Sequence, residues 1–302
     1  VDTRDGRHQW AESYDRDRGE HLGIQDEITV EVVSALRVRL TDGEQARMKA
    51  VAPKNLAAWE KSHRARQLME RHVREENFEA NRLLREALKI DPGLASAWAF
   101  LGWTEWENAR WDWSESPEDS LAGADQAVDR ALELDAENPD GLTLKTMLLI
   151  GRRCFGEAAG IIEHTVKLYP NHAFVLGMAA IVYRCQGRWS DARRHVLRAI
   201  RISPCYGAWY LMVLGSLYFF ERNYSAAIRI LTEGARREPE SNLSRIWLLH
   251  PLVESGDLET ARKGMIEILE IDPGFNAEAW VRSIHMQSSD DAQRLKDNLE
   301  CI

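Results

Sequence analysis

Apolar residues recur with a helical period through most of the chain, and prolines interrupt this period at regular intervals. The intervals from Pro170 to Pro204, on to Pro239 and on to Pro273 are 34, 35 and 34 residues long. Because proline cannot continue a helix, each of these residues marks a boundary between helices. The spacing therefore predicts a repeated unit of about 34 residues that contains two helices.

Three positions upstream of these prolines, and of Pro92, carry side chains of consistent size. Twelve residues before each proline there is an alanine: Ala80, Ala158, Ala192, Ala227 or Ala261. Eight residues before it there is a larger apolar residue: Leu84, Ile162, Val196, Leu231 or Met265. Five residues before it there is a small or medium-sized residue: Ala87, Thr165, Ala199, Gly234 or Ile268. Small residues let two helices approach closely, and the larger residue fills the groove between them. We expect six such helical hairpins between about residues 55 and 273.

The unit that ends at Pro239 matches a known pattern most fully. Leu211, Leu214, Gly215 and Tyr218, followed by Ala227, Leu231, Gly234 and Pro239, resemble the tetratricopeptide repeat. The resemblance implies an all-α fold, a right-handed α-solenoid of about six hairpins. Two units depart from the pattern: the first helix of the first unit, Leu56 to His72, is about five residues too long, and the second unit has a ten-residue insertion around Asn108 to Glu118.

Beyond Pro273, two further helices are predicted, at Phe275 to His285 and at Asp290 to Leu299. A repeat array needs an end that tolerates water, so we expect these to be carboxy-terminal capping helices.

The first 50 residues do not fit the repeat. Val1 to Tyr14 has the pattern of a strand, an Asp-Gly turn and a second strand, and Gly23 to Leu40 has a helical apolar stripe. The segment from Asp2 to Asp17 and the segment from Gly23 to Thr29 resemble the end of a TolB-like α/β domain. We therefore expect a truncated α/β fragment at residues 1–50, followed by the array with its cap at 51–302. The resemblance implies a longer signalling protein that carries a class III nucleotide cyclase domain or a winged-helix domain.

Composition and charge limit the classes of binding partner and the cellular location that we expect. The net charge is −9 and the isoelectric point about 5.6, with basic residues scattered among acids, which argues against nucleic acid as a partner. The most apolar run, Ala208 to Phe220, is too short to span a bilayer, and no signal peptide is recognisable. The four cysteines have no pairing or metal-site spacing and indicate free thiols. These features predict a cytoplasmic protein without membrane insertion.

No pattern in the chain indicates catalysis, a metal or a cofactor. The sequence has no phosphate-binding glycine loop, no nucleophile elbow, no zinc-protease motif and no kinase signature. His250 precedes Pro251 within a predicted helix, and we interpret it as part of a kinked, partly exposed helix rather than as a catalytic base. The expectation is a chain that is not an enzyme, with no catalytic residue, no metal ligand and no cofactor.

The resemblance also implies where a partner would bind, because the first helix of each tetratricopeptide hairpin lines the concave face. Carried over to this sequence, the candidate site consists of Trp103, Trp106, Met147, Ile150, Phe174, Ile181, Arg184, Trp209, Met212, Phe219, Ile246 and His250. This face is strongly apolar and aromatic. Two interpretations stay open: a groove for a peptide, or a surface covered by the carboxy-terminal helices or by a second copy of the chain.

The tryptophans at 103, 106, 111 and 113 alternate with acids. They could form an aromatic pocket for a cationic ligand, or the insertion could fold back so that the indoles pack on the hairpin. We favour the second interpretation.

The leading hypothesis is a protein-interaction and regulatory scaffold of a bacterial signalling protein, binding a protein or peptide partner or itself as a homodimer. The alternatives are the regulatory carboxy-terminal region of a nucleotide cyclase and the sensor part of a transcriptional regulator.

Overall fold

The computed structural model describes residues 55–203 and 206–302, and within these two ranges the chain is entirely helical. Twelve helices form six hairpins, with bounds α1 Leu56–Met69, α2 Arg74–Ile90, α3 Ala95–Arg110, α4 Pro117–Leu134, α5 Pro139–Gly151, α6 Phe155–Leu168, α7 Ala173–Cys185, α8 Trp189–Ile202, α9 Ala208–Phe220, α10 Tyr224–Arg237, α11 Leu243–Glu254 and α12 Leu258–Ile271. Helices α13 (Ala277–Ile284) and α14 (Ser289–Glu300) follow. The predicted strands at Val1 to Tyr14 and the helix at Gly23 to Leu40 lie outside the described residues.

The proline-based boundaries are confirmed. Helix α10 ends at Arg237, two residues before Pro239, and α12 ends at Ile271, two residues before Pro273. Proline instead opens α5, where Pro139 is the first helical residue and the side-chain oxygen of Asn138 accepts the N–H of Gly141 at 2.9 Å. At that position proline lacks only an N–H that the helix would leave unpaired.

The predicted register of small and large residues is also confirmed. The five alanines at the first position of the register, from Ala80 to Ala261, are completely buried. Leu231 of α10 packs directly on α9, where a Cβ atom added to Gly215 would lie 2.4 Å from its Cγ. Only glycine therefore permits this approach of the two helices without a shift of Leu231.

The extra length of the first hairpin lies elsewhere than predicted. Helix α1 has an ordinary 14 residues, whereas α2 has 17, so the expectation of a first helix that continues to His72 is wrong. The insertion of the second hairpin lengthens both of its helices, to 16 and 18 residues, and leaves a short connection from Trp111 to Ser116.

The two predicted carboxy-terminal helices are present, and they pack on first helices of the array. Trp280 of α13 contacts Trp247 of α11, with ring centroids 5.3 Å apart. The connection after α13 joins α7, because the N–H of Gln287 donates to the carbonyl of Cys185 at 2.8 Å. Helices α13 and α14 thus lie on the concave side of the solenoid.

Candidate functional site: the concave cavity

Eight of the twelve candidate residues line one cavity of about 390 Å³ on the concave side. They are Trp103, Trp106, Met147, Phe174, Ile181, Arg184, Trp209 and Met212. They come from α3, α5, α7 and α9, which are the first helices of four consecutive hairpins. The stacking of the hairpins is what brings these residues, more than a hundred positions apart in sequence, to a single wall.

The aromatic residues of this wall contact one another edge to face. Trp103 lies 5.3 Å from Trp106 and 5.7 Å from Phe174, and Phe174 lies 6.0 Å from Trp209. The indole N–H of Trp103 donates to the carbonyl of Asp140 at 3.1 Å. That bond satisfies the only polar group of a buried ring and holds the ring in place.

The other four candidate residues do not line this cavity. Ile150, Phe219, Ile246 and His250 are completely buried, although Ile246 borders a smaller cavity of about 180 Å³. These four residues are therefore not available to a partner in this structure, in line with the interpretation in which part of the concave face is already covered. Phe219 and His250 are covered by the helices that follow the array, and Ile150 is part of the hydrophobic core.

Trp280 of α13 covers His250. The two rings stack with centroids 5.3 Å apart, and neither ring nitrogen of His250 has a hydrogen-bond partner in the described part of the chain. Burial lowers the pKa of His250 to about 3, so the imidazole is neutral at physiological pH. The interpretation of His250 as part of a partly exposed helix is wrong.

Arg294 attaches α14 to the array. Its guanidinium donates to both oxygens of Glu254 at 2.6 and 2.7 Å and lies 4.2 Å from the ring centre of Phe219. Asn298 and Tyr224 also donate to the Glu254 carboxylate. Although burial raises it, these hydrogen bonds lower the pKa of Glu254 to about 2.

The turn after α1 borders the cavity from the opposite side. Nδ1 of His72 donates to Oε1 of Glu107 at 2.7 Å. Although burial lowers it, the charge and the hydrogen bond of Glu107 raise the pKa of His72 above its usual value. Arg71, in the same turn, pairs with Glu240 in the connection between α10 and α11. The turn of the first hairpin therefore contacts the connection between the fifth and sixth hairpins.

The tryptophans of the second hairpin separate into two pairs. Trp103 and Trp106 face the cavity, whereas Trp111 and Trp113 stack on each other with centroids 6.0 Å apart. The guanidinium of Arg110 lies 5.0 Å from the ring centre of Trp106 and 4.9 Å from that of Trp111. A cation of the chain itself therefore occupies the place proposed for a cationic ligand, and the indoles pack on the hairpin.

Sequence reasoning missed several residues of the cavity, among them Arg110 and Tyr210. A signal for Arg110 was available, because residues 103, 106 and 110 share one face of a helix. Tyr210 is adjacent to Trp209 in sequence, and its ring lies 3.7 Å away from the neighbouring indole, which no periodic pattern would indicate.

Among the described residues, no group of His, Cys, Asp and Glu could hold a metal ion. Across the same residues, no helix is both long and apolar enough to cross a bilayer. Cys154, Cys185 and Cys301 are free cysteines, as expected for these three.

No protein-family model matches this sequence. Part of the sequence is similar to that of a bacterial protein. Putative adenylate cyclase 3 of Rhizobium meliloti (strain 1021) is 33% identical over 158 residues, which cover 52% of this chain and 27% of that protein. The chain thus spans well under half of the relative's length.

Solved structures with a similar fold have low sequence identity to the chain. The human IFIT1 dimer with m7Gppp-AAAA has a TM-score of 0.59 at 14% identity and covers 93% of this chain and 74% of that chain. The Cut9–Hcn1 hetero-tetramer of APC/C has a TM-score of 0.55 at 14% identity, with coverage of 88% and 54%. TTC0263, a thermophilic TPR protein of Thermus thermophilus, has a TM-score of 0.51 at 14% identity, with coverage of 65% and 100%. The hairpins, their register and these likenesses together show that the chain is a right-handed α-solenoid of tetratricopeptide type.

Proposed function

We propose that the chain is a protein-interaction and regulatory scaffold of a bacterial signalling protein, and that its concave cavity binds a segment of a partner protein. The observation that supports this proposal is the cavity of about 390 Å³, walled by aromatic side chains from consecutive hairpins. The parent protein would act in the cytoplasm, with residues 1–50 as the end of a TolB-like domain and residues 51–302 as the interaction unit.

An extended peptide suits this cavity better than a broad protein surface. Helices α13 and α14 already cover the part of the concave side around Phe219 and His250, so the accessible part is short. Phe174 and Trp209 are half-buried and border the cavity. Rigid aromatic side chains in a concave site are the residues that most often dominate peptide and protein binding.

We expect Phe174→Ala and Trp209→Ala each to weaken peptide binding by about tenfold or more, because each removes an aromatic anchor. Peptides would be selected from a random library displayed on phage, and dissociation constants measured by fluorescence anisotropy with the purified chain. Phe78→Ala is the matched control, since Phe78 is an exposed phenylalanine on α2 outside the cavity.

Two results would contradict the peptide proposal. One is peptide binding that is the same for Phe174→Ala, Trp209→Ala and the unmodified chain. The other is a dimer, measured by light scattering, that these two substitutions dissociate, because a second copy of the chain would then occupy the cavity.

A second candidate function is regulation of a nucleotide cyclase in the same polypeptide. It is favoured by the 33% identity to putative adenylate cyclase 3 over about half of this chain. Sequencing the gene upstream of the codon for Val1 tests it. We expect a class III cyclase domain with its metal-binding aspartates, whereas a winged-helix domain there would indicate a transcriptional regulator instead.

A further inference from the structure

Arg184 is a buried cation without a counter-charge. Only 2% of the residue is exposed, and no carboxylate pairs with it among the described residues. Its Nη1 donates to Oγ of Ser216 at 2.9 Å, and the guanidinium lies 4.7 Å from the ring centre of Trp247. Its Nε is buried without a hydrogen-bond partner in the described part of the chain. Since all of these neighbours are neutral, the positive charge stays uncompensated.

Arg110 is a second arginine that lines this cavity, and it is partly buried. It forms no ion pair with any described residue, and its Nε is likewise buried and unpartnered there. The pKa of Arg110 is lowered to about 10, mainly by burial and in smaller part by the charge of Arg184, while the charge of Glu107 opposes the shift. The guanidinium nevertheless remains protonated at neutral pH, so two positive charges border one cavity.

No carboxylate of the cavity forms an ion pair with either arginine, and only Glu107 acts on Arg110 through its charge. Glu107 is engaged by His72 at 2.7 Å, and Glu70 lies 3.8 Å from Arg66 in an exposed pair. Burial raises the pKa of Asp140, and the charges that oppose this effect are those of Arg66 and His172. The thiol of Cys185, next to Arg184, has a pKa raised by burial and is neutral. Among the described residues Arg184 therefore has no anion supplied by the chain, and Arg110 is compensated only in part, by the charge of Glu107.

We propose that the cavity binds a small organic anion whose carboxylate or phosphate group pairs with Arg184 and Arg110. Its apolar body would pack on Trp103, Phe174 and Trp209. The volume of about 390 Å³ lies within the range of about 300–1,000 Å³ found for small-molecule sites, and apolar walls with a few convergent polar groups are typical of them. The inference deepens the proposed function and rests on it, because the anion would occupy the same aromatic wall as the partner segment and would regulate its binding by competition.

The probes are two anions, each with an uncharged counterpart of similar shape. Indole-3-acetate is compared with indole-3-acetamide, and adenosine 5′-monophosphate with adenosine, by isothermal titration calorimetry of the full chain. We expect one anion to bind about tenfold or more tightly than its counterpart, since hydrogen bonds to charged groups are the strong ones. The arm that binds distinguishes a carboxylate from a phosphate ligand.

Arg184→Gln and Arg110→Gln are each expected to reduce anion affinity about tenfold or more. Arg184→Lys, which keeps the charge, should retain part of it. Arg188→Gln is the matched control, because Arg188 lies outside the cavity and pairs with Asp191 on the surface. Circular dichroism and the Tm of each variant show whether it is folded.

Three results would overturn the inference: equal affinity for the anion and its neutral counterpart, no binding of either anion at about millimolar concentration, or anion affinity that Arg184→Gln leaves unchanged in a folded variant. Selected peptides that bind through an acidic residue and Arg184, when neither small anion binds, would also contradict it. Failure of the anion with peptide binding intact would reject this inference alone. Failure of peptides with anion binding intact would reject the scaffold proposal, and with it the role of the anion as an effector, but not the anion site itself.

Discussion

Trp280→Ala is expected to lower the free energy of unfolding by about 3–5 kcal/mol, the usual range for truncation of a buried tryptophan. The Trp280 indole is almost fully buried between α13 and the array, where it contacts Trp247 and His250. Its removal leaves a cavity and uncovers the His250 ring. Urea denaturation monitored by circular dichroism measures the change.

Hydrogen exchange shows where the Trp280→Ala effect acts. We expect faster exchange in α13 and α14 than in α5 and α6, because the lost contacts join the carboxy-terminal helices to α11. Trp113→Ala is the matched control: Trp113 is partly exposed and stacks only on Trp111, so about 1 kcal/mol is expected. If the two variants lost the same free energy of unfolding, the packing of α13 on the array would contribute little to stability.

Arg294→Ala is expected to destabilise the chain by about 1.5–3 kcal/mol, since it removes charge-assisted hydrogen bonds to Glu254 and leaves that carboxylate partly buried. Arg282→Ala is the matched control. Arg282 lies on α13 and forms an exposed ion pair with Glu278, in which Nη1 of Arg282 is 3.5 Å from Oε1 of Glu278. Such exposed pairs contribute about 0–1 kcal/mol to the free energy of unfolding. If Arg282→Ala destabilised the chain as much as Arg294→Ala, the Glu254 contact would not be what attaches α14.

The same contact predicts a dependence on pH. The pKa of Glu254 is lowered to about 2 in the folded chain, below the unfolded value of about 4.3. Its contribution is therefore complete above the unfolded pKa and is lost as the pH falls from about 4.3 towards about 2. Glu254→Gln should be less stable than the unmodified chain at pH 6, and the difference should shrink through that interval. A difference that stays constant down to pH 2 would contradict the lowered pKa.

Much of the fold follows from local pattern. The prolines, the three positions of fixed residue size and the glycine at 215 predicted six hairpins and their register, because helix termination and helix-helix approach depend on residues close in sequence. The boundary between α1 and α2 was predicted too late in the sequence. The N-cap residue of α2 is Val73, whose side chain cannot cap the helix, so no polar residue marks where α2 begins.

The candidate site was predicted in part. The eight residues that line the cavity were predicted because the first helix of each hairpin presents the same face to the concave side. The residues of that face therefore recur at equivalent positions of the repeat. Phe219, Ile246 and His250 occupy equivalent positions but are completely buried. Trp280 covers His250 and Arg294 covers Phe219, and these two residues lie 30 or more positions further along the chain.

The sequence by itself determined the helical hairpins, their order and the apolar character of their inner faces, since these depend on residue size and helical period within about 34 positions. Only the tertiary structure decided which part of that face remains open, that α13 and α14 fold back onto it, and that Arg110 and Arg184 line one cavity, where neither forms an ion pair with a described residue. The curvature of the stack sums small rotations over many hairpins. Contacts between distant hairpins, such as Arg71 with Glu240, therefore leave no periodic trace in the sequence.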